Sequence, residues 1–287
     1  MRILIVGGAG MLGHRLLRHL SARHEVKVTL RREIAGHAGQ GLFGATNAYG
    51  GVDACSTRRL QEITDVFRPE AIVNAVGIVK QLSIAKESIP SIEINSLLPH
   101  KLAQVARDAG ARLVHFSTDC VFSGRRGNYS EEDRPDPEDL YGHTKLLGEV
   151  ADTHALTLRV SLIGHELERH TSLVDWFLGQ EGRVKGFRNA IFSGFTTIEM
   201  ARIVEMLLVK HPDAHGLWHV SSAPIDKFSL LNLIKKHYAV ETEIMPDDEF
   251  RCDRSLDSTR FRQRFAYEPP SWESMIAEMR AGGRARP

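Results

Sequence analysis

Arg2-Ile3-Leu4-Ile5-Val6-Gly7-Gly8-Ala9-Gly10-Met11-Leu12-Gly13 runs from an unbroken apolar stretch into glycines, and Leu16, Leu17 and Leu20 follow at helical spacing. The apolar stretch reads as a strand buried on both faces, the kind a parallel sheet demands. Glycines at 7, 10 and 13 let a tight turn form, let backbone approach a pyrophosphate, and let the helix pack closely on the strand. The helix start then offers unpaired N–H groups and a partial positive charge to phosphates. Gly7, Gly10, Met11, Leu12 and Gly13 are therefore expected at a nucleotide. The spacing is Gly-x-x-Gly-x-x-Gly and departs from the usual Gly-x-Gly-x-x-Gly fingerprint; such glycines also serve a plain turn.

Working outward, a second strand over residues 24–30 ends in Arg31-Arg32. An NAD site would carry an acid there for the ribose 2′-hydroxyl. Two arginines suit a 2′-phosphate, which favours NADP(H) over NAD(H); the plain alternative is a pair of solvated charges. Residues 33–51 read as a loop, 51–54 as a short third strand with Asp53 and Ala54 near the adenine, and 57–67 as a helix. The fourth strand spans 71–77, where Ala75, Val76 and Gly77 are small enough for a cofactor to lie against the backbone. A helix over 92–109 carries Asn95 and stops at Gly110. A fifth strand covers 112–116, a loop 119–139, a helix 140–150 and a sixth strand 156–163. Strands alternating with helices predict an α/β fold, a doubly wound parallel sheet.

The later chain is less regular. A short helix over 172–178, a strand or loop over 184–192, a helix over 197–209, a strand over 217–220 and a helix over 226–238 are expected. Residues 241–270 read as polar and irregular, Ser271 caps a last helix, and 281–287 read as a disordered tail. Residues 1–163 and 196–222 are assigned to the nucleotide domain. Residues 164–195 and 223–287 form a smaller α+β substrate domain.

Tyr141 and Lys145 stand four apart on one helix face, following Phe116-Ser117-Thr118-Asp119-Cys120-Val121-Phe122. An ammonium beside a phenol favours the phenolate, so the Tyr141 pKa is expected to fall, and Thr118 is placed to hold a carbonyl oxygen. The charge balance is nearly even, with 37 basic and 36 acidic residues, and no basic block argues for nucleic acid or a membrane surface. The 14 histidines are scattered, no Cys-x-x-Cys spacing occurs, and no metal site is expected. Cys55, Cys120 and Cys252 are widely spaced, as in a reducing cytoplasm. The apolar start is too short for a signal peptide or membrane span. A cytoplasmic protein is expected.

The glycine turn, Asn74, Asn95, Ser117-Thr118 and Tyr141-x-x-x-Lys145, in this order, resemble the extended short-chain dehydrogenase/reductases. Phe116-Ser117-Thr118-Asp119-x-Val121-Phe122-x-Gly124 and Asp253-Arg254-Ser255-Leu256-Asp257 resemble their dTDP-4-dehydrorhamnose reductase branch. The resemblance implies an NAD(P)H-dependent reductase of a 4-keto 6-deoxy nucleotide sugar. Tyr141 would then protonate the C4 oxygen, Lys145 would lower the Tyr pKa and hold the nicotinamide ribose, and Thr118 would bond the carbonyl. Ser117 and Asn95 would adjoin the cofactor, Asn95 as a structural or relay residue. Lys80, Asp119, Cys120, Leu162 and Trp176 would border the substrate.

Cys120 replaces the acid that 4,6-dehydratases carry after Thr-Asp, and Ser117-Thr118-Asp119-Cys120-Val121-Phe122 differs from the epimerase pattern Ser-Ser-x-x-Val-Tyr. Arg159-Val160-Ser161-Leu162 and Val79-Lys80-Gln81-Leu82 depart from the rhamnose-pathway pattern, so the sugar and the base stay open, and a homodimer is compatible with the reading. An epimerase or dehydratase of the same superfamily is one alternative. A non-catalytic NADP-binding subunit, like the regulatory β subunit of methionine adenosyltransferase, is the other.

Overall fold

The computed structural model describes residues 1–168 and 170–283. β1 (Arg2–Val6) is buried from Ile3 onward, and its period-2 alternation sends successive side chains to opposite faces. Ile3 and Ile5 join one apolar cluster with Leu16, Leu17 and Leu20 of α1 (Gly13–Leu20). Leu4 and Val6 join a second with Leu60, Ile63 and Phe67 of α2 (Thr57–Phe67). A strand buried on both faces thus forces helices onto both sides of its sheet.

β2 (Glu25–Thr29) and β3 (Ala48–Tyr49) extend the sheet on one side of β1. On the other side come β4 (Ala71–Asn74), then, after a short α3 (Ser88–Ser91) and α4 (Leu98–Asp108), β5 (Arg112–Ser117). α5 (Leu140–Leu147) leads to β6 (Ala155–Arg159). β7 (Leu162–Ile163), α6 (Leu173–Leu178), β8 (Arg183–Phe192), β9 (Phe195–Thr196) and α7 (Thr197–Lys210) precede β10 (Gly216–His219). The seven-stranded parallel sheet has the order β10-β6-β5-β4-β1-β2-β3. The winding order, not the strand direction, reverses between β1 and β4, which opens a crevice at the carboxyl ends of those strands. α1 and α7 cover the first face, α2 and α4 the second.

β11 (Ile225–Asp226), α8 (Lys227–Tyr238), β12 (Glu243–Asp253), α9 (Thr259–Phe265) and α10 (Trp272–Ala281) complete the chain. β12 pairs in parallel with β8, and β11 pairs antiparallel with it, giving a separate three-stranded sheet. α8 packs on β8, and Asp226 caps it by accepting from Ser229 N–H at 2.8 Å.

Several expectations are corrected. Residues 241–270 are not irregular: they hold β12 and α9. β12 is mostly exposed, carries Pro246, and breaks register between Asp247 and Arg251, so it shows none of the apolar alternation that marks a half-buried strand. The third strand is Ala48–Tyr49 rather than 51–54, and the preceding loop contains a 3₁₀ turn, Ile34–Gln40. The fourth strand ends at Asn74, leaving Ala75–Gly77 as loop. The sixth ends at Arg159, while Leu162–Ile163 leaves the main sheet to pair with Phe195–Thr196. The helix expected over 92–109 opens with a π turn, Ile92–Leu97. Ala281 ends the last helix, and residues 284–287 of the expected tail lie outside the described residues.

Candidate active site

The glycine turn follows β1 at the mouth of the crevice. Gly7 has φ +95°, and a Cβ there would meet Val76. A Cβ on Gly13 would stand 2.1 Å from the Gly7 carbonyl oxygen. These two glycines are required by the protein's own turn and helix packing. Gly10 is different: a Cβ there would make only ordinary contacts, 3.4 Å to Gly7 and 3.6 Å to Ala75. Its bareness leaves room above the turn for a pyrophosphate. Leu12, at the helix N-cap, supplies no side-chain cap; the His14 N–H donates to the Gly10 carbonyl at 3.2 Å, and the helix start keeps its partial positive charge for an anion. The residues present fit a dinucleotide. Gly13→Ala is expected to destabilise the protein by about 1–3 kcal/mol, because the clash is with backbone. A urea midpoint equal to wild type would mean that the turn yields freely.

Thr118 follows β5, and its hydroxyl accepts from Cys120 N–H at 3.1 Å while lying 3.2 Å from Asp119 Oδ1. α5 begins at Asp139, which accepts from Gly142 N–H at 2.8 Å, and Lys80 pairs with the same carboxylate at 2.6 Å. A Cβ on Gly142 would lie 2.4 Å from the Cys120 carbonyl. Glycine there lets the helix start press onto the Cys120 turn and brings Tyr141 to Thr118. Lys145 is buried, and its ammonium donates to the Phe116 carbonyl at 2.6 Å. Thr118, Tyr141 and Lys145 therefore converge at the carboxyl end of β5.

The electrostatics differ from the expectation in one respect. Burial pushes the Tyr141 phenol up, the Asp119 and Asp139 carboxylates add to this, and the Thr118 hydrogen bond acts the other way. The Lys145 ammonium is turned to the Phe116 carbonyl. Burial brings Lys145 down to about 8, opposed by Glu149. Burial, then the Asp119 charge, push the Cys120 thiol up to about 12, so it stays neutral. Asp119 is itself raised by burial, against the pull of Arg254.

Asn95 lies on the π turn, a feature frequent at functional sites. Its amide accepts from Ile78 N–H at 2.9 Å and donates to the Ile78 carbonyl at 3.0 Å and Thr144 Oγ1 at 3.3 Å. It ties the loop after β4 to the Tyr141 helix. Ser117 Oγ donates to Glu149 Oε1 at 2.6 Å, and Arg159 clasps the same carboxylate at 2.7 and 2.8 Å. Ser117 thus belongs to a buried ion-pair network beside the site. Asp53 accepts from Cys55 N–H and shapes the turn before α2, with Ala54 half-buried beside it. Arg31 and Arg32 are exposed at the end of β2, and Arg32 pairs with Glu168. Leu162 lies on β7, and Trp176 is 38% exposed on α6.

Two cations near the reaction end were not anticipated. Arg254 donates from Nε to the Phe122 carbonyl at 2.8 Å and from Nη1 to Cys120 Sγ at 3.7 Å. Lys227 stands over the Phe192 ring at 4.0 Å and senses the Asp119 charge. Arg254 was announced only through the Asp253–Asp257 resemblance; nothing local marked Lys227. His211, His215 and His219 recur every fourth residue, but they turn to Phe265, the Asp213 carbonyl and the Tyr129 carbonyl.

A parallel sheet with a glycine turn after β1, and a Thr, Tyr and Lys meeting where β5 ends, is the arrangement of the extended short-chain dehydrogenase/reductases. The comparisons narrow it. The chain belongs to the RmlD substrate binding domain family, whose model matches residues 1–283. A dTDP-4-dehydrorhamnose reductase of Aggregatibacter actinomycetemcomitans is 24% identical over 98% of both chains. Methionine adenosyltransferase 2 subunit beta of Bos taurus is 29% identical over 174 residues; the match takes in 58% of this chain and about half, 48%, of that relative's length. Among solved structures, a dTDP-4-dehydrorhamnose reductase from Bacillus anthracis in complex with NADP superposes with a TM-score of 0.80 at 20% identity, covering 99% of each chain. Among the described residues, no helix is long and apolar enough to cross a membrane.

Proposed function

We propose that this protein is an NAD(P)H-dependent reductase of a 4-keto 6-deoxy nucleotide sugar. The convergence of Thr118, Tyr141 and Lys145 at the crevice is the observation that carries the reading. Family membership and the full-length similarity to a dTDP-4-dehydrorhamnose reductase support it. Residues of the Gly7–Gly13 turn and Ala75–Gly77 would hold the dinucleotide, which when bound supplies a hydride to the sugar C4.

Thr118 holds the carbonyl oxygen through its hydroxyl. Tyr141, kept protonated by burial, gives the proton that the developing alkoxide takes. Lys145, fixed on the Phe116 carbonyl, orients the ribose hydroxyls beside the phenol. Cys120, a neutral thiol at ordinary pH, offers no acid for eliminating water, so simple reduction is favoured over dehydration. Residues around β8, β11, β12 and α8, with Arg254 and Lys227 facing Asp119 and Cys120, form the substrate side. Arg32 favours NADP(H).

The test is incubation with a dTDP-4-keto-6-deoxy sugar and NADPH or NADH. Loss of reduced nicotinamide, with a product heavier by two hydrogens, is the expected result. A product lighter by one water, with no net cofactor used, would place the protein among dehydratases. The partial match to methionine adenosyltransferase 2 subunit beta supports a second reading, a non-catalytic subunit. Tight dinucleotide binding without turnover on any 4-keto nucleotide sugar would favour it.

A further inference from the structure

The acid missing after β2 arrives from another part of the chain. NAD sites commonly set a carboxylate at the end of the second strand, on the adenosine ribose 2′-hydroxyl; here Arg31 and Arg32 hold that position. Glu168, in the segment after β7, reaches it. Its Oε1 pairs with Arg32 Nη2, accepts from Gln40 Nε2 at 2.7 Å and lies 3.1 Å from His37 Nδ1. His37 is buried, packed edge-on against Phe43, and its Nε2 is a buried atom with no partner among the described residues.

The segment that presents Glu168 is tied down on both sides. Ser172 Oγ donates to the Gly164 carbonyl at 3.0 Å, and the N–H groups of Thr171 and Ser172 donate to Glu166 Oε2 at 2.6 and 2.8 Å. At its root His165 is buried between Asp175 Oδ1, at 2.6 Å, and the Tyr238 hydroxyl, at 2.7 Å. Glu168 thus stands close to anchored residues, and Arg32, Gln40 and His37, all from the β2 side, meet one of its oxygens.

We propose that Glu168 is the cofactor-specificity residue of this protein. It supplies the carboxylate for the adenosine ribose 2′-hydroxyl of NAD(H), while Arg32, His37 and Gln40 become the seat of the NADP(H) 2′-phosphate once Glu168 leaves them. The proposal rests on the dinucleotide reading above. A carboxylate and a phosphate cannot share the same three partners, because like charges that close repel and each needs the Arg32 and Gln40 N–H groups. NAD leaves the clasp intact and gains an acceptor for its 2′-hydroxyl. NADP must break the clasp and inherits its cations. One residue thus divides the two cofactors: Glu168 keeps Arg32 while NAD is bound and releases it to the 2′-phosphate of NADP.

The test is calorimetric titration of the full chain with NAD⁺, NADP⁺, 5′-AMP and 2′,5′-ADP, the last two differing only in the 2′-phosphate. Glu168→Gln keeps the shape and removes the charge. It is expected to tighten 2′,5′-ADP and NADP⁺ by about tenfold and to weaken NAD⁺, with Glu168→Ala moving the ratio the same way. Arg32→Ala is expected to erase the preference for 2′,5′-ADP over 5′-AMP. An unchanged NADP⁺ to NAD⁺ ratio in both Glu168 variants, with wild-type binding intact, overturns the proposal alone. If the folded wild type binds none of the four nucleotides, the dinucleotide reading falls and the proposal with it.

Discussion

Tyr141→Phe is expected to lower reduction of a 4-keto nucleotide sugar by about two to four orders of magnitude, the usual worth of a positioned acid. The phenyl ring fills the same space beside the Cys120 turn, so the fold and the glycine turn stay as they are and dinucleotide affinity should be retained. What is lost is the proton. Burial raises the Tyr141 pKa, so the phenol is fully protonated at neutral pH, the form that reduction consumes. Thr118→Val should cost less, because it removes one hydrogen bond to the carbonyl and leaves the donor in place. Single-turnover rates alongside nucleotide titrations check both variants. A Tyr141→Phe protein reducing substrate within about threefold of wild type, a gap far below the usual worth of such an acid, would mean that another group supplies the proton.

Lys145→Met is expected to lower turnover by about ten- to a thousandfold, since it removes a charge-assisted donor while keeping the stem. It also leaves the Phe116 carbonyl without its 2.6 Å partner. The pH profile gives the sharper check. Burial lowers the Lys145 pKa to about 8, so the ammonium is present below that pH and lost above it. If the charge orients the ribose, wild-type reduction should decline as pH rises through about 8. Tyr141 and Cys120, both pushed upward by burial, do not titrate in that window. In Lys145→Met the decline near pH 8 should vanish and the lower rate should run flat. Wild-type activity that holds level from pH 7 to well past 9 would show that the ammonium is not the group the reaction needs.

The residues that recognise themselves locally were legible in the chain. Ile3–Val6 could only be a doubly covered strand, Gly7, Gly10 and Gly13 could only mark its exit, and Tyr141 and Lys145 had to share a helix face. The strand–helix alternation then implied the parallel sheet; the crevice at its switch point emerged with the strand order. β12 escaped because it is mostly exposed and is held by pairing with β8, a long-range contact that leaves no apolar period in the sequence. The π turn at Asn95 escaped because one extra residue in a turn barely disturbs helical spacing.

The site divides the same way. Spacing alone placed Tyr141 and Lys145 together, and the order of motifs brought Thr118 to them. The direction of the Tyr141 pKa was decided by tertiary structure, because burial is a property of packing, and the ammonium expected to lower it turned to the Phe116 carbonyl. Arg254 and Lys227 joined the Cys120 end only through the second sheet. Glu168 lies 136 residues from Arg32, and nothing in either neighbourhood announces the other. Local sequence determined the sheet, the turn and the helix-borne pair, because those rest on periodicity and glycine geometry. The charges around the pair, and the meeting of Glu168 with Arg32, were decided by the fold, because only chain crossings bring such distant groups within hydrogen-bonding reach.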